Sequence, residues 1–252
     1  MSIIRTVFLL AALVPAGSFA DAGLTIAVAS NFQAAAREIA LEFTKATQIP
    51  VRISAGSTGK LYAQITNGAP YDIFLSADSA RPKLLEESGT AVEGSRVTYA
   101  KGALVLWSAD SSLEDRDCLA ALRSGTYRRL AIANPATAPY GFAAKEFLQA
   151  SGSFEVAESR LVYGENITQV SQFVVTGNAT LGLIALSQVK GGLPVTASCS
   201  WNVPSNMHSD LDQQAVVLTE SNNPDEARRF MNFLQTERVA SILMSRGYSV
   251  PE

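Results

Sequence analysis

The chain has 252 residues, of which 47% are hydrophobic and 17% charged, and its formal net charge at pH 7 is −3. This length is enough for two modest domains or one large one. The mild negative charge argues against nucleic acid and against an anionic membrane surface as partners, because both attract basic proteins. It also means that any site for an anion must be built from local dipoles.

The first twenty residues have the pattern of a cleavable export signal. Arg5 precedes an apolar run at residues 6–15, which is too short to cross a bilayer, since crossing takes about 20 residues. The motif Ser18, Phe19, Ala20 then matches the small-x-small pattern that signal peptidases recognise. We therefore predict that residues 1–20 are removed and that the mature protein is periplasmic.

Apolar strands and amphipathic helices alternate after the signal. Residues 24–29 predict a strand, and from Phe32 onward the apolar positions follow the i, i+3, i+4 spacing of a helix, for which Ser30 or Asn31 is a suitable N-cap. Strand–helix units follow at residues 50–65 and 71–89. This alternation is typical of an α/β sandwich with a mainly parallel sheet.

The rhythm breaks at residues 97–107, a long strand-like run with Gly102 in its middle, and then resumes. Two blocks of similar pattern joined by extended segments predict two lobes with a hinge between them. The remaining predicted strands lie at 130–133, 160–163, 179–185 and 213–218, and the remaining helices at 141–150, from 166, at 224–235 and at 237–246.

Two cysteines, Cys118 and Cys199, would lie in an oxidising compartment after export. A single disulfide and two separate buried thiols are both open, because their long separation says nothing about proximity. The cysteines have no metal-ligand spacing and His208 is the only histidine, so a zinc or iron site built on Cys and His is not expected.

Four junctions between a strand or loop and a following helix carry the strongest functional pattern. First-turn N–H groups lack an intrahelical acceptor and lie at the positive end of the helix dipole, so they bind anions without lysine or arginine. Any one junction is an ordinary N-cap, but four, two from each lobe, predict an anion site if they converge on one cleft. The junctions are Ser30 and Asn31; Ser57, Thr58 and Gly59; residues 138–141; and residues 165–168.

A site of neutral donors suits a fully ionised tetrahedral dianion, which offers only acceptors. Phosphate at neutral pH carries a proton and calls for an acceptor such as Asp, which none of the four junctions offers, although Glu165 lies beside the last. Sulfate, molybdate and tungstate all satisfy this condition.

At these junctions the sequence resembles the periplasmic molybdate-binding proteins of ABC importers. The resemblance implies a type II periplasmic binding protein: two α/β lobes, mainly parallel sheets with helices on both faces, and a ligand held without its water between the lobes. Together with the pattern, it places lobe 1 at residues 21–102 plus 203–252 and lobe 2 at residues 103–202, although the C-terminal helices could also belong to lobe 2. The motifs that carry it are residues 29–32 (ASNF), 54–59 (SAGSTG), 64–78 (QITNGAPYDIFLSAD), 134–135 with 138–141 (NP, APYG) and 181–184 (LGLI).

The resemblance also implies which residues hold the anion. Hydroxyl and main-chain N–H groups of lobe 1 hold one side, and two helix-start amides of lobe 2 hold the other. Many members of the family have a serine where Asn31 stands and a tyrosine where Ala185 stands, so the Tyr140 hydroxyl is a candidate replacement and the preference between molybdate and tungstate is open. The implied ligand-binding residues are Ser30, Asn31, Ser57, Thr58, Tyr140 and Ile167.

The same resemblance implies transport rather than catalysis. We expect no cofactor, no metal held directly by side chains, a monomeric chain, and two partners, a membrane permease and its ATPase. Alternatives are a binding protein for sulfate, thiosulfate or a ferric complex that uses Tyr140 and Tyr163, a ligand-sensing regulatory domain, and a periplasmic hydrolase. The hydrolase is disfavoured because His208 is the only imidazole and no nucleophile elbow is present.

Overall fold

The computed structural model describes residues 23–114 and 116–251, so the predicted export signal at residues 1–20 lies outside the described residues. In this part of the chain ten strands form two five-stranded sheets. None of its helices combines the length and the apolar composition that a membrane crossing needs.

Strands and helices alternate along most of the chain. The strands are β1 (Leu24–Ala29), β2 (Val51–Gly56), β3 (Ile73–Leu75), β4 (Val97–Lys101), β5 (Leu104–Ser108), β6 (Leu130–Ala133), β7 (Leu161–Gly164), β8 (Leu181–Ala185), β9 (Cys199–Asn202) and β10 (Asp212–Val217). The helices are α1 (Gln33–Thr47), α2 (Thr58–Thr66), α3 (Ala80–Glu87), α4 (Cys118–Ser124), α5 (Pro139–Ala150), α6 (Phe154–Glu158), α7 (Ile167–Val175), α8 (Leu186–Lys190), α9 (Pro224–Leu234) and α10 (Glu237–Ser245).

Each sheet forms the centre of one lobe. The sheet of lobe 1 has the order β2-β1-β3-β10-β4, and that of lobe 2 has the order β7-β6-β8-β5-β9. In each sheet one strand, β10 or β5, runs antiparallel to both of its neighbours, and the other four share one direction. The sheets are therefore mixed in pairing but mainly parallel in strand direction, and the prediction of a two-lobed α/β fold is confirmed.

Lobe 1 covers its sheet with helices on both faces, which explains why its inner strands β1 and β3 are nearly continuous apolar runs. Side chains alternate across a strand. In β1, Ile26 and Val28 pack with apolar residues of α1, α9 and α10, whereas Ala27 faces Leu61 of α2 and Leu85 of α3.

The predicted first helix is present as α1, and its buried positions have the expected helical spacing. The predicted N-cap is wrong. Ser30 and Asn31 lie instead in a 3₁₀ turn, Ser30–Phe32, and no side-chain cap bond is made at the start of either helical segment. Asn31 is buried, and its side chain is used in tertiary hydrogen bonds, described below, rather than for capping.

The long run at residues 97–107 is divided between the lobes. β4 ends at Lys101 in the sheet of lobe 1, and β5 begins at Leu104 in the sheet of lobe 2. Gly102 lies at this crossing, and a Cβ atom built on it would come within 2.1 Å of the Tyr140 hydroxyl. The chain crosses back between β9 and β10.

Lobe 2 contains a disulfide, which decides between the alternatives left open by the sequence. It joins Cys118 at the start of α4 to Cys199 at the start of β9, and the two Cα atoms are 5.6 Å apart. Neither α4 nor β9 is predicted from the sequence.

Candidate functional site

Two hydrogen bonds across the lobe interface join the four predicted junctions in pairs. The Thr168 hydroxyl at the start of α7 donates to the carbonyl oxygen of Ser30 over 3.3 Å. The Gly59 amide at the start of α2 donates to the carbonyl oxygen of Thr137, which lies just before α5, over 2.8 Å. The candidate site therefore lies between the lobes. The sequence predicted an anion site only if the four junctions converged on one cleft, and these contacts bring them to the same interface.

At the first junction, Asn31 is 5% exposed and is held from several directions. Its amide nitrogen donates to Gln213 Oε1 over 3.0 Å and to the Tyr248 hydroxyl over 3.2 Å. The main-chain carbonyl oxygen of Asn31 accepts hydrogen bonds from the Tyr248 hydroxyl over 2.8 Å and the Ser187 hydroxyl over 3.2 Å. Ser30 beside it is half-buried.

At the second junction, Ser57 and Thr58 are both buried, but their hydroxyls differ. The Thr58 hydroxyl accepts a hydrogen bond from the Ala77 amide over 3.2 Å. The Ser57 hydroxyl has no hydrogen-bond partner among the residues that the structure describes. A buried hydroxyl without a partner is costly, so Ser57 is the member of this pair that most needs a ligand to accept its proton.

The third junction is the start of α5. Ala138 is its N-cap without a side-chain bond, Pro139 is its first residue, and Tyr140 follows in the first turn. A Cβ atom on Gly141 would lie 2.2 Å from the carbonyl oxygen of Ala133, so glycine allows this helix start to lie against the end of β6. The Tyr140 side chain is buried, and its hydroxyl accepts a hydrogen bond from Gln213.

The fourth junction is the start of α7, where Asn166 is the N-cap of the helix. Its Oδ1 accepts hydrogen bonds from the amides of Thr168 and Gln169 over 3.0 and 3.1 Å. The cap does not use the amide of Ile167, the first residue of the helix, so this donor is available to a ligand. The side chain of Ile167 is 2% exposed.

Neutral donors dominate this interface. Burial raises the pKa of the Tyr99, Tyr140 and Tyr248 hydroxyls, so all three remain protonated and able to donate at neutral pH. The charged pair formed by Lys60 and Glu165 crosses between the lobes over 2.9 Å, but both side chains are more than half exposed. Helix dipoles and hydroxyls therefore supply the favourable potential for an anion.

All six predicted residues lie at this interface, and three further residues that the sequence did not indicate join them: Gln213, Tyr248 and Ser187. Gln213 is a fully buried amide, but it shares the polar first half of β10 with Asp212 and Gln214, so its sequence context does not distinguish it. Tyr248 and Ser187 carry no distinguishing sequence signal either. Ala185, where many members of the resembling family have tyrosine, is buried at the N-cap of α8.

The chain is similar to known binding proteins over nearly its whole described length. Residues 24–249 match the family model described as "Bacterial extracellular solute-binding protein". Molybdate-binding protein ModA of Azotobacter vinelandii is 43% identical over 91% of this chain and 90% of its own length. The Rhodobacter capsulatus protein of the same name is 44% identical over 91% and 89%, respectively.

A solved structure gives the same result for the fold. The periplasmic molybdate-binding protein of Azotobacter vinelandii superposes with a TM-score of 0.83 and 36% sequence identity, covering 91% of this chain and 100% of the other. The likeness in sequence and in structure thus extends over both lobes and the interface between them. The chain belongs to the bacterial extracellular solute-binding protein family.

Proposed function

We propose that this protein is the periplasmic substrate-binding component of an ABC importer and that it holds a dehydrated tetrahedral oxyanion, molybdate and also tungstate, between its lobes. The observation that carries the proposal is the meeting of four helix starts at one buried interface, where the Ser57 hydroxyl has no hydrogen-bond partner among the described residues. The relatives at 43% and 44% identity are both named molybdate-binding proteins.

In this proposal the two lobes bind the anion in different ways. Lobe 1 contributes main-chain amides and hydroxyls of Ser30, Ser57 and Thr58 together with Asn31. Lobe 2 contributes the first-turn amides of Tyr140 and Ile167. The Tyr140 hydroxyl is anchored to Gln213, so we assign the role of Tyr140 to its amide rather than to the hydroxyl that the sequence suggested.

Hydrogen bonds from such a site are strong enough to bind the anion without its water. A hydrogen bond to a charged group contributes about 1.5–3 kcal/mol. Several such bonds offset the loss of the anion's hydration and leave a net binding free energy of about −8 to −12 kcal/mol, which corresponds to micromolar to nanomolar Kd. Discrimination against sulfate comes from cavity size, since molybdate and tungstate are the larger ions.

Transport follows from closure of the lobes around the ligand. We assign residues 23–102 plus 203–251 to lobe 1 and residues 103–202 to lobe 2, with the hinge at the two crossings. A monomer that closes on its anion presents both lobe rims in a fixed arrangement, which a permease with its ATPase then recognises as the loaded state. The chain needs no cofactor and no catalytic residue for this role.

The alternative ligands and activities fit the site less well. Ferric ligation needs tyrosinate, but burial raises the pKa of Tyr140, and Tyr163 on β7 is 54% exposed. A hydrolase would need a base, and the only imidazole, His208, has its Nδ1 2.8 Å from the carbonyl oxygen of the neighbouring Ser209. Sulfate is a tetrahedral dianion like molybdate, so the titration described next has to distinguish the two ligands.

Calorimetric titration of the ligand-stripped mature protein with molybdate, tungstate, sulfate and phosphate tests the proposal. We expect one-to-one binding of molybdate and tungstate at micromolar Kd or tighter, and negligible heat with sulfate and phosphate. Absence of binding to both molybdate and tungstate contradicts the proposal, and a response to sulfate alone keeps the site but changes its ligand.

A further inference from the structure

The Gln213 side chain lies where the chain re-enters lobe 1 after its second crossing. It is the second residue of β10 and is fully buried. A buried amide is costly unless its donors and acceptors are satisfied, so its partners indicate the purpose that it serves.

Those partners come from both lobes. Gln213 Oε1 accepts hydrogen bonds from the amide nitrogen of Asn31 over 3.0 Å and from the hydroxyl of Tyr99, on β4, over 3.2 Å. Its Nε2 donates to the Tyr140 hydroxyl, in lobe 2, over 3.4 Å. One side chain thus connects the Asn31 junction of lobe 1 to the start of α5.

The first crossing meets the same group of atoms. A Cβ atom on Gly102 would lie 2.1 Å from the Tyr140 hydroxyl and 2.8 Å from Gln213 Nε2, so both crossings pack against this one contact. The distance from Gln213 to Tyr140 is near the upper limit of a hydrogen bond. A lobe rotation that moves Tyr140 away by about an ångström therefore breaks the bond.

The next residue, Gln214, shows what a glutamine does on the other face of the same strand. Its Nε2 donates to the Thr98 hydroxyl over 2.9 Å, and its Oε1 accepts from Arg96 over 3.1 Å. Both partners lie beside or on β4, in lobe 1. Gln214 is thus a buried glutamine whose contacts stay within one lobe, and it provides a matched control for Gln213.

We propose that Gln213 is a positioning residue of the oxyanion site, which fixes Asn31 on one lobe and Tyr140 on the other and so couples anion binding to lobe closure. This role rests on the proposed function. Gln213 does not itself need to touch the anion. When the lobes close, its amide completes its hydrogen bonds, and when they open, the Nε2 group loses its partner in lobe 2.

The test compares Gln213→Met with Gln214→Met, each of which replaces an amide by an apolar side chain of similar length. Molybdate Kd is measured by calorimetry, the dissociation rate by stopped-flow fluorescence, and closure by small-angle X-ray scattering with and without molybdate. We expect Gln213→Met to raise Kd by about ten- to a hundredfold, mainly through faster dissociation, because buried groups lose their partners. Gln214→Met should stay within about threefold of the wild type, since its contacts lie within one lobe.

Wild-type-like Kd, dissociation rate and closure in Gln213→Met overturn the positioning role while leaving the proposed function intact. Equal losses in both variants also overturn it, because they indicate general destabilisation of β10. A wild-type protein that binds neither molybdate nor tungstate overturns the proposed function and this role with it.

A double-mutant cycle with Tyr140→Phe separates coupling from a merely structural effect. If Gln213 acts through the Tyr140 hydroxyl, the two substitutions together should weaken binding by less than the product of their separate effects. Strict multiplicativity overturns the coupling. If Gln213→Met does not fold, Tyr140→Phe alone serves the test, because it removes only the lobe 2 end of the contact, and an unchanged dissociation rate then overturns the proposal.

Discussion

The two lobes resemble each other in sheet topology but differ in what they bring to the site. Lobe 1 presents the hydroxyls of Ser57 and Thr58 after its second strand, beside Asn31, whose side-chain amide is anchored to Gln213 and Tyr248. Lobe 2 presents Tyr140 and Ile167, whose side chains are buried in or against its core and whose amides begin helices. The lobe 1 half of the site thus depends on the types of its side chains, whereas the lobe 2 half depends on the positions of its main-chain amides.

This difference predicts how each half responds to substitution. A side-chain donor is removed by truncation, whereas a main-chain donor survives nearly every substitution except proline. The main-chain half therefore depends on the rigidity of lobe 2, and the side-chain half depends on the identity of a few residues.

The disulfide offers the strongest test of the dependence of lobe 2 on rigidity. We expect replacement of Cys118 and Cys199 by serine to lower the free energy of unfolding of lobe 2 by about 2–4 kcal/mol, because the disulfide closes a long loop. Chemical denaturation monitored at a probe in each lobe measures this effect, and the reduced wild type is the control. An unchanged midpoint for lobe 2 would show that packing alone holds its helix starts.

Ile167→Pro removes one main-chain donor while leaving the helix in place. Proline is tolerated at the first helical position, and Asn166 before it is extended, with φ −149° and ψ 171°. We expect molybdate binding to weaken by about 2–3 kcal/mol, or roughly 30- to 150-fold, through loss of a charge-assisted bond. Ile167→Val, which keeps the amide, is the control, and equal Kd values for the two variants would exclude this amide from the site.

Ser57→Ala tests the side-chain half. We expect binding to weaken by about 1–2 kcal/mol, less than a full charge-assisted bond, because a water molecule can take the vacated space. The unliganded protein should keep its melting temperature, since the hydroxyl has no hydrogen-bond partner to lose in the part of the chain that the structure describes. Thr58→Ser serves as the control because it retains a hydroxyl, and a large loss of stability in unliganded Ser57→Ala would mean that the serine has a structural role instead.

The smallest effect is expected at the rim. Lys60→Ala and Glu165→Ala each break an exposed ion pair between the lobes. We therefore expect the binding free energy of molybdate to change by no more than about 0.5 kcal/mol, and this change to disappear in high salt. Titrations at two ionic strengths measure it. A salt-independent loss of tenfold or more would show that rim charges, rather than the buried donors, hold the lobes closed.

Strong periodicity made much of the fold readable from the sequence. Residues 130–133 were predicted as a strand and form β6, and the apolar spacing after Phe32 corresponds to α1. β9, which is as short as β6, was missed because its two exposed positions alternate with partly or fully buried ones, which gives a weak apolar pattern. Local pattern therefore predicts long or fully buried elements better than short ones at a sheet edge.

The site was readable in part for a related reason. Small polar residues at helix starts are local features, so the four junctions could be identified before any contact was known. The network around Asn31 could not, because its partners Ser187 and Tyr248 are 156 and 217 residues away along the chain. The same network explains the wrong N-cap prediction, since distant hydrogen bonds outweighed the local capping preference of Asn31.

The topology of lobe 1 also has a consequence for the order in which the protein folds. Lobe 2 has all five of its strands in one continuous stretch, β5 to β9, whereas β4 of lobe 1 joins its sheet only through β10. An isolated β-bridge likewise pairs Lys101 with Ser249, near the C-terminus. Lobe 2 can therefore reach its native pairing from its own segment, while lobe 1, and with it the Gln213 contact, is assembled only after the last forty or so residues are present.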